Sequence, residues 1–232
     1  VATRRRPIVA IDGPAGAGKS TVSRKLADTL GFVLVDTGAM YRAVALAAQR
    51  AGVAWSDGPR LGGQIAVILA HRDLSFAAAP GRGAVVRLGG EDVSAAIRTP
   101  EIGLGASQVS AHPEVRGALL ELQRQAGRDG GVVLEGRDIG TVVFPDAEVK
   151  FFLTARPEVR ARRRYDELAA KGENVTLEGT LADVVLRDQN DTNRTHAPLR
   201  QAHDAILVDN SDMSIDEAVA LMAERVRTEE GA

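Results

Sequence analysis

Apolar and polar positions along the chain fall into blocks that read in turn as buried strands and amphipathic helices. Ile8-Val9-Ala10-Ile11 is short and wholly apolar, as a buried parallel strand requires, and residues 21–30 carry Val22, Leu26 and Leu30 at helical spacing. Gly31 stops that helix, and Phe32-Val33-Leu34-Val35 is the next buried strand, ending in Asp36-Thr37-Gly38. An alanine-rich helix is predicted over 40–51, closed by Gly52 and a polar loop around 56–60. From Leu74 the pattern shortens to extended pieces at 74–78, 84–88 and 91–93. The turns Pro80-Gly81-Arg82-Gly83 and Gly89-Gly90 join them, which predicts a small antiparallel three-stranded sheet. Helical patterning returns over 102–127, followed by buried strands at 132–134 and 149–153, a helix over 177–191 and a last strand at 205–208. Ser214 and Glu217 are spaced as a capping box and open a terminal helix to residue 228.

Strands alternating with helices imply an α/β fold: a central parallel sheet covered on both faces, here interrupted by the small antiparallel insert. Ligands in such sheets bind beyond the carboxyl ends of the strands. Asp12-Gly13, Asp36-Thr37-Gly38 and Glu135-Gly136-Arg137-Asp138 all fall at such ends. They are expected to gather around one site.

The chemistry of that site begins at Gly13-Pro14-Ala15-Gly16-Ala17-Gly18-Lys19-Ser20, a complete G-x-x-x-x-G-K-[ST] phosphate-binding loop set between a strand and a helix. Its glycines let backbone N–H groups approach phosphate oxygens at the positive end of the following helix. Lys19 supplies a point charge to the outer phosphates, and the Ser20 hydroxyl is a ligand for Mg2+ carried on them. A nucleoside triphosphate is the expected ligand. The loop alone does not separate kinase from switch or motor. Asp28-Thr29-Leu30-Gly31 matches a short GTPase pattern, but it lies at a helix end and no N-K-x-D follows, which excludes the GTPase reading.

At 232 residues the chain has length for one substantial core, and a net charge of −2 asks for neither nucleic acid nor an acidic membrane surface. There is no cysteine, hence no disulfide framework or thiolate metal site. The basic leader, with Arg4-Arg5-Arg6 read as a solvated tail, precedes an apolar run too short for a signal core or a membrane span. With the absence of cysteine this fits a cytoplasmic protein, and a monomer is expected. Twenty-five of the 29 basic residues are arginine, a bias that suits phosphate handling and equally a codon or thermal preference. His71, His112, His196 and His203 have no metal-ligand spacing and read as structural or surface residues.

Placement of the arginines carries more. Thr37, Tyr41 and Arg42 leave the second strand together and could grip a second phosphate, though they also make an ordinary helix start. Arg187, Asp191 and Arg194 stand at i, i+4 and i+7 on a stripe that Val184 begins, which points them inward; a surface salt-bridge face would use the same spacing. Arg160, Arg163 and Arg164 share one face, with Arg162 off it, and fit either an anion-binding lid or a solvated basic helix.

With these residues assembled, the chain resembles the bacterial cytidylate kinases of the nucleoside monophosphate kinase group. The likeness runs through Ile11-Asp12-Gly13-Pro14, Asp36-Thr37-Gly38-Ala39-Met40-Tyr41-Arg42, Glu91-Asp92-Val93, Ile97-Arg98, Ala106-Ser107-Gln108-Val109-Ser110, the stretch from Gly136-Arg137-Asp138 to Pro145-Asp146, and Arg187-Asp188 on to Arg194 and Ala197-Pro198-Leu199. The resemblance implies transfer of the ATP γ-phosphoryl to CMP or dCMP, with Mg2+, by a single kinase domain. Its core would take about 8–60, 100–155 and 177–228, a monophosphate-binding insert about 61–99, and a lid about 156–176. It implies that residues 13–20 and Thr21 bind ATP, and that Thr37, Tyr41, Arg42, Arg137 and Arg194 hold the acceptor phosphate and its surroundings. Ser107, Arg116 and Asp138 would read the base, and Arg187 with Asp191 the ribose. Lys19, Arg137 and the lid arginines 160, 163 and 164 would stabilise the transferring group, with closure of lid and insert excluding water. Thr37 stands where serine is often found in this family. Related kinases acting on uridylate, thymidylate or shikimate, and a catalytically silent nucleotide sensor, are the rival readings.

Overall fold

The computed structural model describes residues 4, 6–79 and 83–230. Eight strands and eight α-helices follow one another among them. The strands are β1 (Ile8–Asp12), β2 (Val33–Asp36), β3 (Leu74–Ala79), β4 (Gly83–Leu88), β5 (Glu91–Asp92), β6 (Val132–Gly136), β7 (Val149–Thr154) and β8 (Ile206–Asp209). The helices are α1 (Lys19–Leu30), α2 (Thr37–Arg50), α3 (Gly58–Ala70), α4 (Pro100–Val109), α5 (Pro113–Gly127), α6 (Pro157–Ala170), α7 (Leu177–Asn193) and α8 (Ile215–Glu230). A five-stranded sheet runs in the order β2-β6-β1-β7-β8, and β3-β4-β5 form a separate antiparallel sheet. The α/β class and the antiparallel insert are therefore as expected. The turn at Pro80-Gly81-Arg82 lies outside the described residues.

By its contacts the chain divides into two compact units, Val1–Phe32 with Gly130–Ala232, and Val33–Asp129. In the first, β1 lies between β6 and β7, parallel to both, and every residue of β1 is buried. The register sets Asp12 beside Gly136 and Phe152, so the loops leaving β1 and β6 start at the same level. In the second unit α2 is the core helix, with ten of its fourteen residues buried.

Several local readings are corrected. Residues 102–127 make two helices, because Pro113 starts α5 at its first position and Pro100, behind the Thr99 cap, starts α4 in the same way. Helix α3 occupies residues left as loop and unassigned chain; Asp57 caps it and Pro59 sits in its first turn. Residues 32–35 are not fully buried, since Val33 is 51% exposed. Of the arginines read as a solvated tail, the two described ones are held: Arg4 pairs with Asp146 and Glu148, and Arg6 donates to Leu30 and Gly31 carbonyls and covers the Phe32 ring. The capping box is present, with Ser214 Oγ accepting from Glu217 N–H and Glu217 Oε2 from Ser214 N–H.

Candidate active site

The phosphate loop is shaped by contacts that exclude side chains. Gly13 has φ +150°, and a Cβ there would stand 1.9 Å from the Leu153 carbonyl oxygen, a backbone atom that cannot give way. Gly18, at φ +84°, turns the chain into α1. Lys19 is buried and its Nζ donates to the Gly13 and Pro14 carbonyls, both at 2.7 Å, folding the loop around the ammonium. Burial, followed by the Arg137 charge, pushes the Lys19 ammonium down to about 7, against the opposing pull of Glu135, Asp191 and Asp12. Ser20 and Thr21 are exposed at the start of α1.

Two arginines of α6 hold the outer side of this loop. Arg160 is buried; its two Nη atoms bind Asp188 at 2.9 and 2.6 Å, and it donates to the Ala155 and Ala15 carbonyls. Arg163 donates to the side-chain and main-chain oxygens of Asn210, whose own Nδ2 donates to the Ala17 carbonyl at 2.9 Å. Arg164 turns to Glu167 and Arg162 is exposed.

At the end of β6, Arg137 Nε donates to Asp191 Oδ2 at 2.8 Å, and the attraction of Asp191 holds its guanidinium above the ordinary arginine value although burial opposes it. Asp138 lies 3.8 Å from Arg194 Nη2, with both side chains buried. The stripe on α7 points inward as expected, Val184 and Asp191 being buried, but the helix ends at Asn193 and Arg194 follows it in extended conformation. Arg187 is pushed below the ordinary guanidinium range by burial and then by the Arg164 charge, with Arg137 adding to the effect. Repulsion between cations thus runs pairwise, from Arg137 onto Lys19 and from Arg164 and Arg137 onto Arg187.

The second unit carries its own cluster. Asp36 caps α2 by accepting from Ala39 N–H at 2.9 Å and also binds Arg42 Nη2 at 2.8 Å, which orients Arg42 on the first turn. The buried Nε of Arg42 has no hydrogen-bond partner among the described residues, and Thr37 is buried at the head of the same helix. Arg116 lies over the Tyr41 ring, 5.6 Å from its centroid, and donates to the Ser110 carbonyl; Ser110 Oγ in turn donates to the carbonyl of Ser107.

Sequence reasoning found the loop and the arginines but not the groups that hold them: Asp36 for Arg42, Asp188 for Arg160, and Asn210 for Arg163. Only Asp36 had a local signal, as a helix-capping aspartate two turns' reach from an arginine. The others pair residues 28 and 47 positions apart.

The cytidylate kinase family model matches residues 9–228. A cytidylate kinase of Geobacter sp. strain M21 is 57% identical over 95% of this chain and 92% of its own length. That of Geobacter sulfurreducens is 54% identical over 100% and 97%, and that of Pseudomonas savastanoi 48% over 93% of each chain. Among solved structures, an uncharacterized protein from Eubacterium ventriosum shares the fold at a TM-score of 0.50 and 12% identity, covering 96% of this chain and 99% of its own. With a phosphate loop in place and relatives of this likeness along nearly its whole length, the chain belongs to the cytidylate kinase family.

Proposed function

We propose that the loop 13–20 with Thr21 holds the triphosphate of ATP, while Thr37, Tyr41, Arg42, Ser107, Arg116, Arg137, Asp138, Arg187, Asp191 and Arg194 serve the acceptor nucleotide. The reaction moves the ATP γ-phosphoryl to CMP or dCMP. The observation that supports this division of roles is the repulsion of Arg137 on Lys19 and of Arg164 and Arg137 on Arg187, which bound phosphate relieves. An acceptor phosphate is already anionic, so it needs no strong general base; positioning and charge stabilisation supply the catalysis. Lys19, Arg137, Arg160, Arg163 and Arg164 are the groups for that work. Magnesium, when bound with ATP, neutralises charge on the phosphates. The exposed Ser20 hydroxyl beside Lys19 suits this hard cation, and no group of three or more His, Asp or Glu among the described residues could cage a metal independently of the nucleotide.

Base choice follows from hydrogen-bond polarity. Cytosine presents an amino donor at N4 and acceptors at N3 and O2, so a carboxylate facing N4 and a guanidinium facing N3 and O2 complement it, and uracil mismatches both. Each unpaired neutral group costs about 1 to 3 kcal/mol. Steady-state kinetics of Asp138→Asn test this: the variant is expected to lose about tenfold or more in its preference for CMP over UMP, as that free energy implies. An unchanged preference would remove Asp138 from base recognition.

A further inference from the structure

Asp12 ends β1 immediately before Gly13, and the phosphate-loop motif assigns it no task. Its side chain is buried, the residue being 4% exposed, and each oxygen accepts one backbone N–H, Oδ1 from Ile139 and Oδ2 from Gly140, both at 2.8 Å. A carboxylate kept out of water is retained at a large desolvation cost, which such donors offset. These two amides belong to the turn that begins directly after Arg137-Asp138. The turn is a single π-helical one, Ile139–Val143, closed by Phe144 N–H donating to the Ile139 carbonyl at 2.7 Å. Lys150 packs against it beside Asp12: a Cβ on Gly140 would stand 3.4 Å from Asp12 Oδ2 and 3.1 Å from Cδ of Lys150. Lys150 is itself buried and anchored by Asp204 and the Pro145 carbonyl. Asp12 therefore ties the segment carrying Arg137 and Asp138 to the first residue of the loop that holds the donor.

We propose that Asp12 is a positioning residue for acceptor recognition, clamping the amides of Ile139 and Gly140 so that Arg137 and Asp138 present their side chains at a fixed distance from the phosphate loop. The proposal rests on the reading of Arg137 and Asp138 as acceptor-binding residues. A second route by which Asp12 could act is its charge, which faces Lys19 as well as Asp138, and the two routes differ in the substrate they affect. The amide clamp bears on CMP; the charge on Lys19 bears on ATP.

The test is steady-state kinetics of Asp12→Asn in the full chain, with ATP, CMP and UMP varied separately and Asp138→Asn measured alongside. An asparagine oxygen can still accept from one amide, but its NH2 opposes the other. Losing a charge-assisted bond of this kind is expected to raise KM for CMP about tenfold or more and narrow the CMP-over-UMP preference, with KM for ATP within about threefold of the wild type. A purely structural role would lower kcat with both KM values and the base preference unchanged, and that result overturns the proposal. So does a rise in KM for ATP equal to that for CMP, which would place the effect on Lys19. If Asp138→Asn leaves CMP recognition untouched, the reading of Asp138 fails and the proposal with it; if Asp138→Asn shifts recognition and Asp12→Asn does not, only the proposal falls. Should Asp12→Asn not fold, Asp12→Glu carries the comparison, because it keeps the charge and displaces the carboxylate by a methylene from the two amides it holds. A raised KM for CMP with KM for ATP unchanged supports the clamp, and wild-type values overturn it.

Discussion

Asp12 and Lys19 are charged groups held in the interior, and both titrate far from their ordinary values for the same reason. Burial raises Asp12 to about 6 although two amides favour its ionised form, and burial lowers Lys19 to about 7. The consequence for stability has a definite sign. A carboxyl raised in the folded state keeps its proton where the unfolded chain has released it. Folding is therefore favoured at low pH, and that contribution is lost as pH rises from about 4 to about 6. For Asp12 the loss amounts to about 3 kcal/mol. Urea unfolding of the wild type and Asp12→Asn between pH 4 and pH 7 should show their stability difference moving against the wild type by about that amount. A difference that stays constant with pH would mean that Asp12 titrates as an exposed carboxyl. At this scale the sequence was legible where function is local. Each loop residue from Gly13 to Ser20 has its task set by its neighbours, and the residues that hold the arginines do not. The Asp12 clamp joins positions 127 and 128 residues apart, and nothing in either segment marks the other.

Among the elements, α6 and α7 pack together and share the Arg160–Asp188 ion pair. Arg160 points from α6 into the interior, and Asp188 of α7 binds both its Nη atoms. Asp188 is itself about a quarter exposed, so part of its charge is screened by water. Replacing it by asparagine leaves a buried guanidinium without its counter-ion, at an expected cost of about 2 to 3 kcal/mol. The midpoint of urea unfolding reports this, and a change below about 0.5 kcal/mol would put the pair among those that contribute little. Element boundaries were legible where a strong local device sits. Gly31 ends α1 with left-handed backbone at φ 63°, and the Ser214–Glu217 box opens α8. Helix α3 was hidden because Gly62-Gly63 and the apolar run beginning at Ile65 obscure its period, although only Leu61 and Ile65 among its large side chains are buried. The turn at 139–143 has the β-branched content of a strand, Ile139, Thr141, Val142 and Val143, yet the amides held by Asp12 bend it into a single π-helical turn.

For the molecule as a whole, the order of buried strands and helices was enough to place the chain in the α/β class, and the loop after β1 was enough to make it a nucleotide binder. The acceptor is less legible, because phosphate-binding arginines serve many kinases and the proposed base choice rests on a few groups, Asp138, Arg116 and Ser107. Among the described residues no helix is long and apolar enough to cross a membrane. The measurement that bears most directly on the function is ADP release with ATP and a panel of acceptors: CMP, dCMP, UMP, AMP, dTMP and shikimate. The expected result is rapid turnover with CMP and dCMP and a clear preference for them over every other acceptor. A preference for any acceptor without cytosine, or saturable ATP binding with no turnover on the panel, would contradict it.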